Sequence, residues 1–335
     1  MKKLIVISLL SSLFLGSCFI EEQGMDPIVP ENIEIVSDFE NEGQLYFDIG
    51  TREMVKTSSI YAWDLAFDCR PGHFNILLNS AKGMAVFNTR QTEFTKLFEE
   101  RDYNWEFDHP RGDLEKAAIG EWGDFSFNNP QSYSEVYILH LGYDSDRRPL
   151  GYKKFKVHGF AGGKYIVQMA DLNNDNNFTR FIDKNRSFNF SYLSLQDTGY
   201  VVEIEPPKET WDIVITPAPD SIYNLSPYDL ELSKGLALSE SILSNRFRHS
   251  VALDTLNRFE NITYFDIDRV SFSPQINTIG NNWKVWNENT YTYEISRSNR
   301  FIIKDNEDSY YGIEFLSFEK PSINGSIFRF RLKHL

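Results

Sequence analysis

Tyr61-Ala62-Trp63-Asp64-Leu65-Ala66-Phe67 and Trp211-Asp212-Ile213-Val214-Ile215 are the stretches that decide the fold. Each couples an indole, a large apolar anchor, to a carboxylate on the opposite face of a strand. There the carboxylate can accept turn or backbone N–H groups, so Trp63, Asp64, Trp211 and Asp212 read as structural. The surroundings repeat too. Tyr46-Phe47-Asp48-Ile49 precedes the first stretch and Tyr192-Leu193-Ser194-Leu195 the second. Asn79 and Thr89 follow the first, Asn245 and Thr255 the second, each pair ten residues apart. Each half then closes on two strands, 152–157 with 165–169 across Gly162-Gly163, and 311–316 with 327–332 across Asn324-Gly325. The shared order of these matches is the mark of an internal duplication.

Outward from these stretches the chain is a series of short β-branched and aromatic runs, among them 45–49, 61–68, 74–79 and 136–141, cut by Gly, Asn, Asp and Pro. That pattern predicts an all-β protein. It is read as two tandem, related antiparallel β modules, residues 43–180 and 187–335. Helical spacing is scarce: residues 92–98 make the best short helix, and 225–243 has a mixed pattern.

At the N-terminus, Lys2 and Lys3 precede an apolar run over 4–15 that ends in Leu15-Gly16-Ser17-Cys18. The run is shorter than the roughly 20 residues of a permanent span and reads as a signal peptide, residues 1–17. Its last four residues resemble the lipobox of bacterial lipoproteins, which implies that Cys18 is acylated and begins the mature chain. Residues 18–42, with Glu21, Glu22, Pro27 and Pro30, are polar and aperiodic and read as a flexible tether. The acidic pair resembles the surface-export signal of some Gram-negative lipoproteins. The expected location is therefore the outer membrane, lipid-anchored and exposed at the cell surface, where acyl chains do the anchoring. No other stretch is apolar and long enough to cross a bilayer.

Charge bounds the partners. The chain has 48 acidic against 34 basic residues, a net charge of -14. Such a surface repels nucleic acid, whose binding rests on Lys and Arg at phosphates. With Cys18 acylated, Cys69 has no partner for an intramolecular disulfide; in its alternating run it reads as a buried thiol. No Ser-His-Asp order, zinc spacing or phosphate-cradling glycine loop occurs, so nothing supports an enzyme. Paired carboxylates for a glycosidase would need a defined separation, and no pair among the acidic residues stands out.

The run 61–67, with Asn75-Ile76-Leu77-Leu78-Asn79-Ser80, Ala85-Val86-Phe87 and the close Tyr310-Tyr311-Gly312-Ile313-Glu314-Phe315-Leu316-Ser317-Phe318, resembles the HmuY-type haem-binding lipoproteins. The resemblance implies an all-β surface protein of a Gram-negative anaerobe that captures haem for iron acquisition and passes it to a TonB-dependent receptor. It also implies a pair of axial His or Met ligands on loops. The first ligand position falls near Asp108-His109-Pro110, which makes His109 the candidate haem-iron ligand. The second falls near Trp122-Gly123-Asp124-Phe125-Ser126-Phe127, where Phe127 stands and no ligating side chain is found. In the second half, Trp286-Asn287-Glu288-Asn289-Thr290 has neither His nor Met.

Other candidates read as structural. His140 lies in a strand and His158 just past one; Met84 and Met169 read as core. His249 belongs to Arg246-Phe247-Arg248-His249, a basic patch able to meet an anionic group such as a propionate. Tyr133 is a further residue to test against haem. Asp171, Asn173 and Asp175 open like a calcium loop, but Asn176 replaces the turn glycine and Ile182 the bidentate Glu. Two functional classes fit: a non-catalytic lipoprotein capturing haem or a related porphyrin, and a non-catalytic interaction or structural lipoprotein of the outer membrane that has lost the haem site.

Overall fold

The computed structural model describes residues 29–38, 43–109, 112–127, 129–197, 199–219, 238–287, 289–290, 292–321 and 325–335. Residues 1–17, Cys18, residues 19–28 and 39–42 of the expected tether and residues 220–237 lie outside the described residues. The rest of that tether is not irregular chain throughout: Glu31–Asp38 form a strand, because the alternation that buries Ile35 lets it pair along its whole length with the last strand of the chain.

Before Asp171 the chain forms β1 (Glu31–Asp38), β2 (Gln44–Asp48), β3 (Glu53–Ser58), β4 (Leu65–Asp68), β5 (Ile76–Leu78), β6 (Ala85–Asn88), β7 (Gly123–Asp124), β8 (Gln131–Ser132), β9 (Val136–His140), β10 (Tyr152–Ala161) and β11 (Lys164–Ala170). After it come β12 (Phe178–Asp183), β13 (Phe190–Ser194), β14 (Tyr200–Val202), β15 (Ile213–Pro219), β16 (Leu238–Ser244), β17 (Ser250–Asp254), β18 (Lys284–Asn287), β19 (Thr292–Ile295), β20 (Arg300–Lys304), β21 (Tyr310–Glu319) and β22 (Gly325–His334). The only helices among the described residues are short 3-10 turns.

The sheets show the duplication directly. One five-stranded sheet runs β12-β11-β10-β9-β6 and its counterpart β1-β22-β21-β20-β17. One four-stranded sheet runs β14-β13-β4-β5 and its counterpart β3-β2-β15-β16, with ribbons β7-β8 and β18-β19 beside them. Shifting every strand label by eleven, with β12 returning to β1, maps each sheet onto its counterpart. Even the irregularities correspond, since β10 and β21 carry register shifts at Val157/Gly159 and Phe315/Ser317.

The correspondence exposes an exchange. β1 to β3 complete the sheets of the second repeat, and β12 to β14 complete those of the first. Phe47, Tyr46 and Leu45 pair with Ile213, Val214 and Ile215, as Leu193, Tyr192 and Ser191 pair with Leu65, Ala66 and Phe67. The cores follow the pairing. Ile35, Leu45, Phe47 and Ile49 pack with Trp283, Phe301 and Phe330, whereas Leu193 and Leu195 pack with Leu65, Trp122 and Tyr165. The boundaries 43–180 and 187–335 thus separate sequence repeats but not packing units. Alternation fixes which face of β2 is buried and leaves open which copy receives it.

Residues 92–98 are not helical but form a turn and irregular chain. Their carbonyls find other partners: Lys154 Nζ donates to Phe94 O (2.7 Å) and Lys96 O (3.1 Å), and Lys156 Nζ to Thr92 O (2.7 Å). Two lysines reaching in from β10 satisfy groups that a helix would have satisfied internally.

Candidate functional site

At the seam between the repeats, the Trp-Asp pairs lock the exchanged strands. Asp64 Oδ2 accepts from Leu195 N and Asp212 Oδ2 from Ile49 N, both at 2.6 Å. Each carboxylate therefore holds the hairpin lent by the other repeat. Their second oxygens bond Lys82 Nζ and, at 2.6 Å, His249 Nε2. Asn79 Nδ2 donates to Ile60 O and Trp63 O (2.6 and 2.8 Å), and Asn245 Nδ2 to Lys208 O and Trp211 O (both 2.7 Å). The indoles meet tyrosines of the opposite hairpin edge-on, Trp63 with Tyr192 at 5.0 Å and Trp211 with Tyr46 at 4.9 Å between centroids.

Beside this lock, between β5 and β16, lies a cavity of about 160 Å³. Trp63, Leu77, Leu243 and Ile276 give it apolar walls, and His109 and Arg246 line it as well. Leu77 and Leu243 hold equivalent places, two residues before Asn79 and Asn245. Arg246 follows Asn245 where Ser80 follows Asn79, so only the second repeat places a charge at this position.

Asp108 places His109 there. Its carboxylate accepts from Leu78 N at the end of β5 (2.6 Å) and from Ala118 N (2.8 Å), tying the loop to the sheet. Burial pushes this carboxyl up to about 7, against the lowering pull of those two donors and of Arg246. His109 is half-buried, and its Nδ1 is buried without a hydrogen-bond partner among the described residues. Arg246 Nη2 donates to Gly112 O at 2.8 Å, and the guanidinium lies 5.7 Å from the Phe190 centroid. Burial, then the positive charge of Arg70, pushes it down to about 10. Gly112 has φ 64, a left-handed conformation that favours glycine, and a Cβ there would also press on Ile276 Cδ1 and Arg246 Nη2.

The remaining candidates are engaged elsewhere. His249 is buried with both ring nitrogens bonded, to Asp212 and to Phe247 O (2.5 Å); it is not open to meet an anionic group as the patch suggested. His140 accepts from Gly142 N at 3.0 Å and is pushed down to about 4 by burial. His158 is exposed and bonds Gln168. Met84 and Met169 are core residues. Burial pushes the Cys69 thiol up, the direction that lowers its reactivity. In the loop after β11, Lys153 Nζ sits 2.7 Å from Asp171 Oδ1 and Asn176 Nδ2 2.6 Å from Oδ2. The carboxylate a calcium ion would need is thereby taken. Among the described residues no group of three or more His, Cys, Asp or Glu could hold a metal ion.

Haem requires an axial donor and room for a macrocycle. His109 has the chemistry of the first, an imidazole not wholly consumed by the fold. A second donor is not brought to it: Phe127 is 58% exposed, and His249, Met84 and Met169 are committed as above. The cavity is smaller than the roughly 300–1,000 Å³ of pockets that enclose drug-sized ligands. The residues thus fit one axial ligand and do not enclose a porphyrin. The sequence pointed to His109 and to the basic patch holding Arg246; Asp108 and Gly112 were not foreseen, since their roles appear only when β5 and the segment after β16 meet.

Fold and site together describe a duplicated, all-β protein with a cavity at the seam of its repeats. The model of the HmuY protein family matches residues 40–327, and the chain belongs to that family. Among solved structures, an apo HmuY analogue of Tannerella forsythia (TFO) is similar at 9% identity, covering 92% of this chain and 99% of that one, with a TM-score of 0.24. Among curated proteins, none matches the sequence.

Proposed function

We propose that this chain is a non-catalytic binding lipoprotein, anchored through Cys18 at the outer-membrane surface, that captures haem or a related porphyrin for uptake. Family membership over residues 40–327 carries the reading, and His109, whose Nδ1 has no hydrogen-bond partner among the described residues, is the residue proposed to meet the iron. The receiving partner is a TonB-dependent receptor. Haem, when bound, brings the iron whose properties the axial ligand tunes; the protein's part is to hold it. Cys18→Ser should release the chain from the membrane fraction, and titrating that form with haem should give a saturable Soret band of single-imidazole type that His109→Ala weakens. Membrane retention would sink the anchoring, and an unchanged band in His109→Ala the assigned ligand. A second reading, an interaction lipoprotein that has lost the haem site, is favoured by the missing second donor and the small cavity. It is the one left standing if neither oxidised nor reduced haem produces any shift.

A further inference from the structure

Arg246 is an anomaly among the charges of the seam. Arg246 is half-buried, and its guanidinium, with five donors, makes one hydrogen bond, to Gly112 O, and no ion pair among the described residues, which leaves donors open to the cavity it lines. The acids near it face elsewhere. Asp108 is committed to Leu78 N and Ala118 N, Glu205 to Phe190 N and Asn189 Nδ2, Asp68 to Arg70, and Asp113, which also lines the cavity, to Glu115 N and Lys116. His109 lines the same cavity, and its buried Nδ1 has no hydrogen-bond partner among the described residues. Two side chains with hydrogen-bonding capacity to spare thus line one otherwise largely apolar chamber.

From this geometry we propose that the seam cavity binds a small organic carboxylate, its anionic head on Arg246 and His109 and an apolar body about the size of a benzene ring against Trp63, Leu77, Leu243 and Ile276. The volume sets the body, because a dry cavity of about 150 Å³ accepts benzene and this one measures about 160 Å³. The planar guanidinium fork sets the head, since it matches a carboxylate in bidentate geometry. Two donor groups are few for a phosphate, which presents more acceptors than they can meet. The site does not depend on haem, and it accounts for a charge that a lost haem pocket would leave unexplained.

Benzoate is the probe, with benzamide and toluene as comparators, titrated without haem into the purified full chain. The readouts are tryptophan fluorescence, to which Trp63 reports, and calorimetry. Saturable benzoate binding at least tenfold tighter than either comparator is expected. Arg246→Gln should weaken it tenfold or more. Ala81 also lines the cavity, and Ala81→Leu, which fills it and leaves the guanidinium in place, should abolish binding even if Arg246→Gln does not fold. Absence of benzoate binding, equal binding of toluene or benzamide, or benzoate binding that survives Ala81→Leu would overturn the proposal. None of these outcomes bears on haem capture, which the Soret titration decides separately.

Discussion

Glu205 is one residue through which pH should act on this fold. It is buried at the seam, accepting from Phe190 N at 2.8 Å and Asn189 Nδ2 at 3.4 Å. Burial pushes its carboxyl up to about 7 from an ordinary 4.5, outweighing those donors and Arg246. The folded state therefore holds this proton more tightly than the unfolded chain. Its stabilisation is complete below pH 4.5 and is lost as pH rises through 7, on the order of 3 kcal/mol in all. Asp108, likewise pushed up to about 7 by burial, acts in the same direction. Urea midpoints measured from pH 5 to 8 should fall over that range, and Glu205→Gln should make the fall shallower; an equal slope in the variant would assign the effect to Asp108 and other groups. Residues of this kind were not legible in sequence. Glu205 is one acid among 48, and only the fold that brings it against Asn189 and Phe190 buries it. Asp64 and Asp212 were legible, because a carboxylate beside a core tryptophan has few tasks other than capping the neighbouring backbone.

At the scale of elements, the two hairpins β2-β3 and β13-β14 are the joints of the molecule. Trp211 is 5% exposed and packs on Tyr46 of the first hairpin, so Trp211→Ala should cost about 3–5 kcal/mol. Trp63, half-buried on Tyr192 of the second, should cost roughly half as much. Each indole grips the other repeat's strand, so both variants should shift one common unfolding transition. Calorimetry showing two transitions, each moved by one variant, would mean that the repeats fold separately. The strands themselves were readable from alternation, and so was the order of the copies. The 92–98 stretch was misread because the lysines that satisfy its carbonyls come from β10, some 60 residues later in the chain.

For the whole molecule, the exchange is what makes the site. Had each repeat kept its own first three strands, Gln44 of β2 would not line the same cavity as Thr216 of β15 and Leu78 of β5. Sequence could not foresee it, since β2 satisfies the same alternation beside β4 or β15. The most direct measurement is a cross-link between β1 and β22, where Asn32 lies opposite Arg331. Strand partners in register fall within the Cα separation a disulfide spans. The double variant Asn32→Cys/Arg331→Cys should oxidise quantitatively within a monomer, giving a compact band on non-reducing gels, with Cys69 left free in the core. Failure to cross-link, or cross-linking only between two chains, would contradict the exchange and the seam cavity built on it.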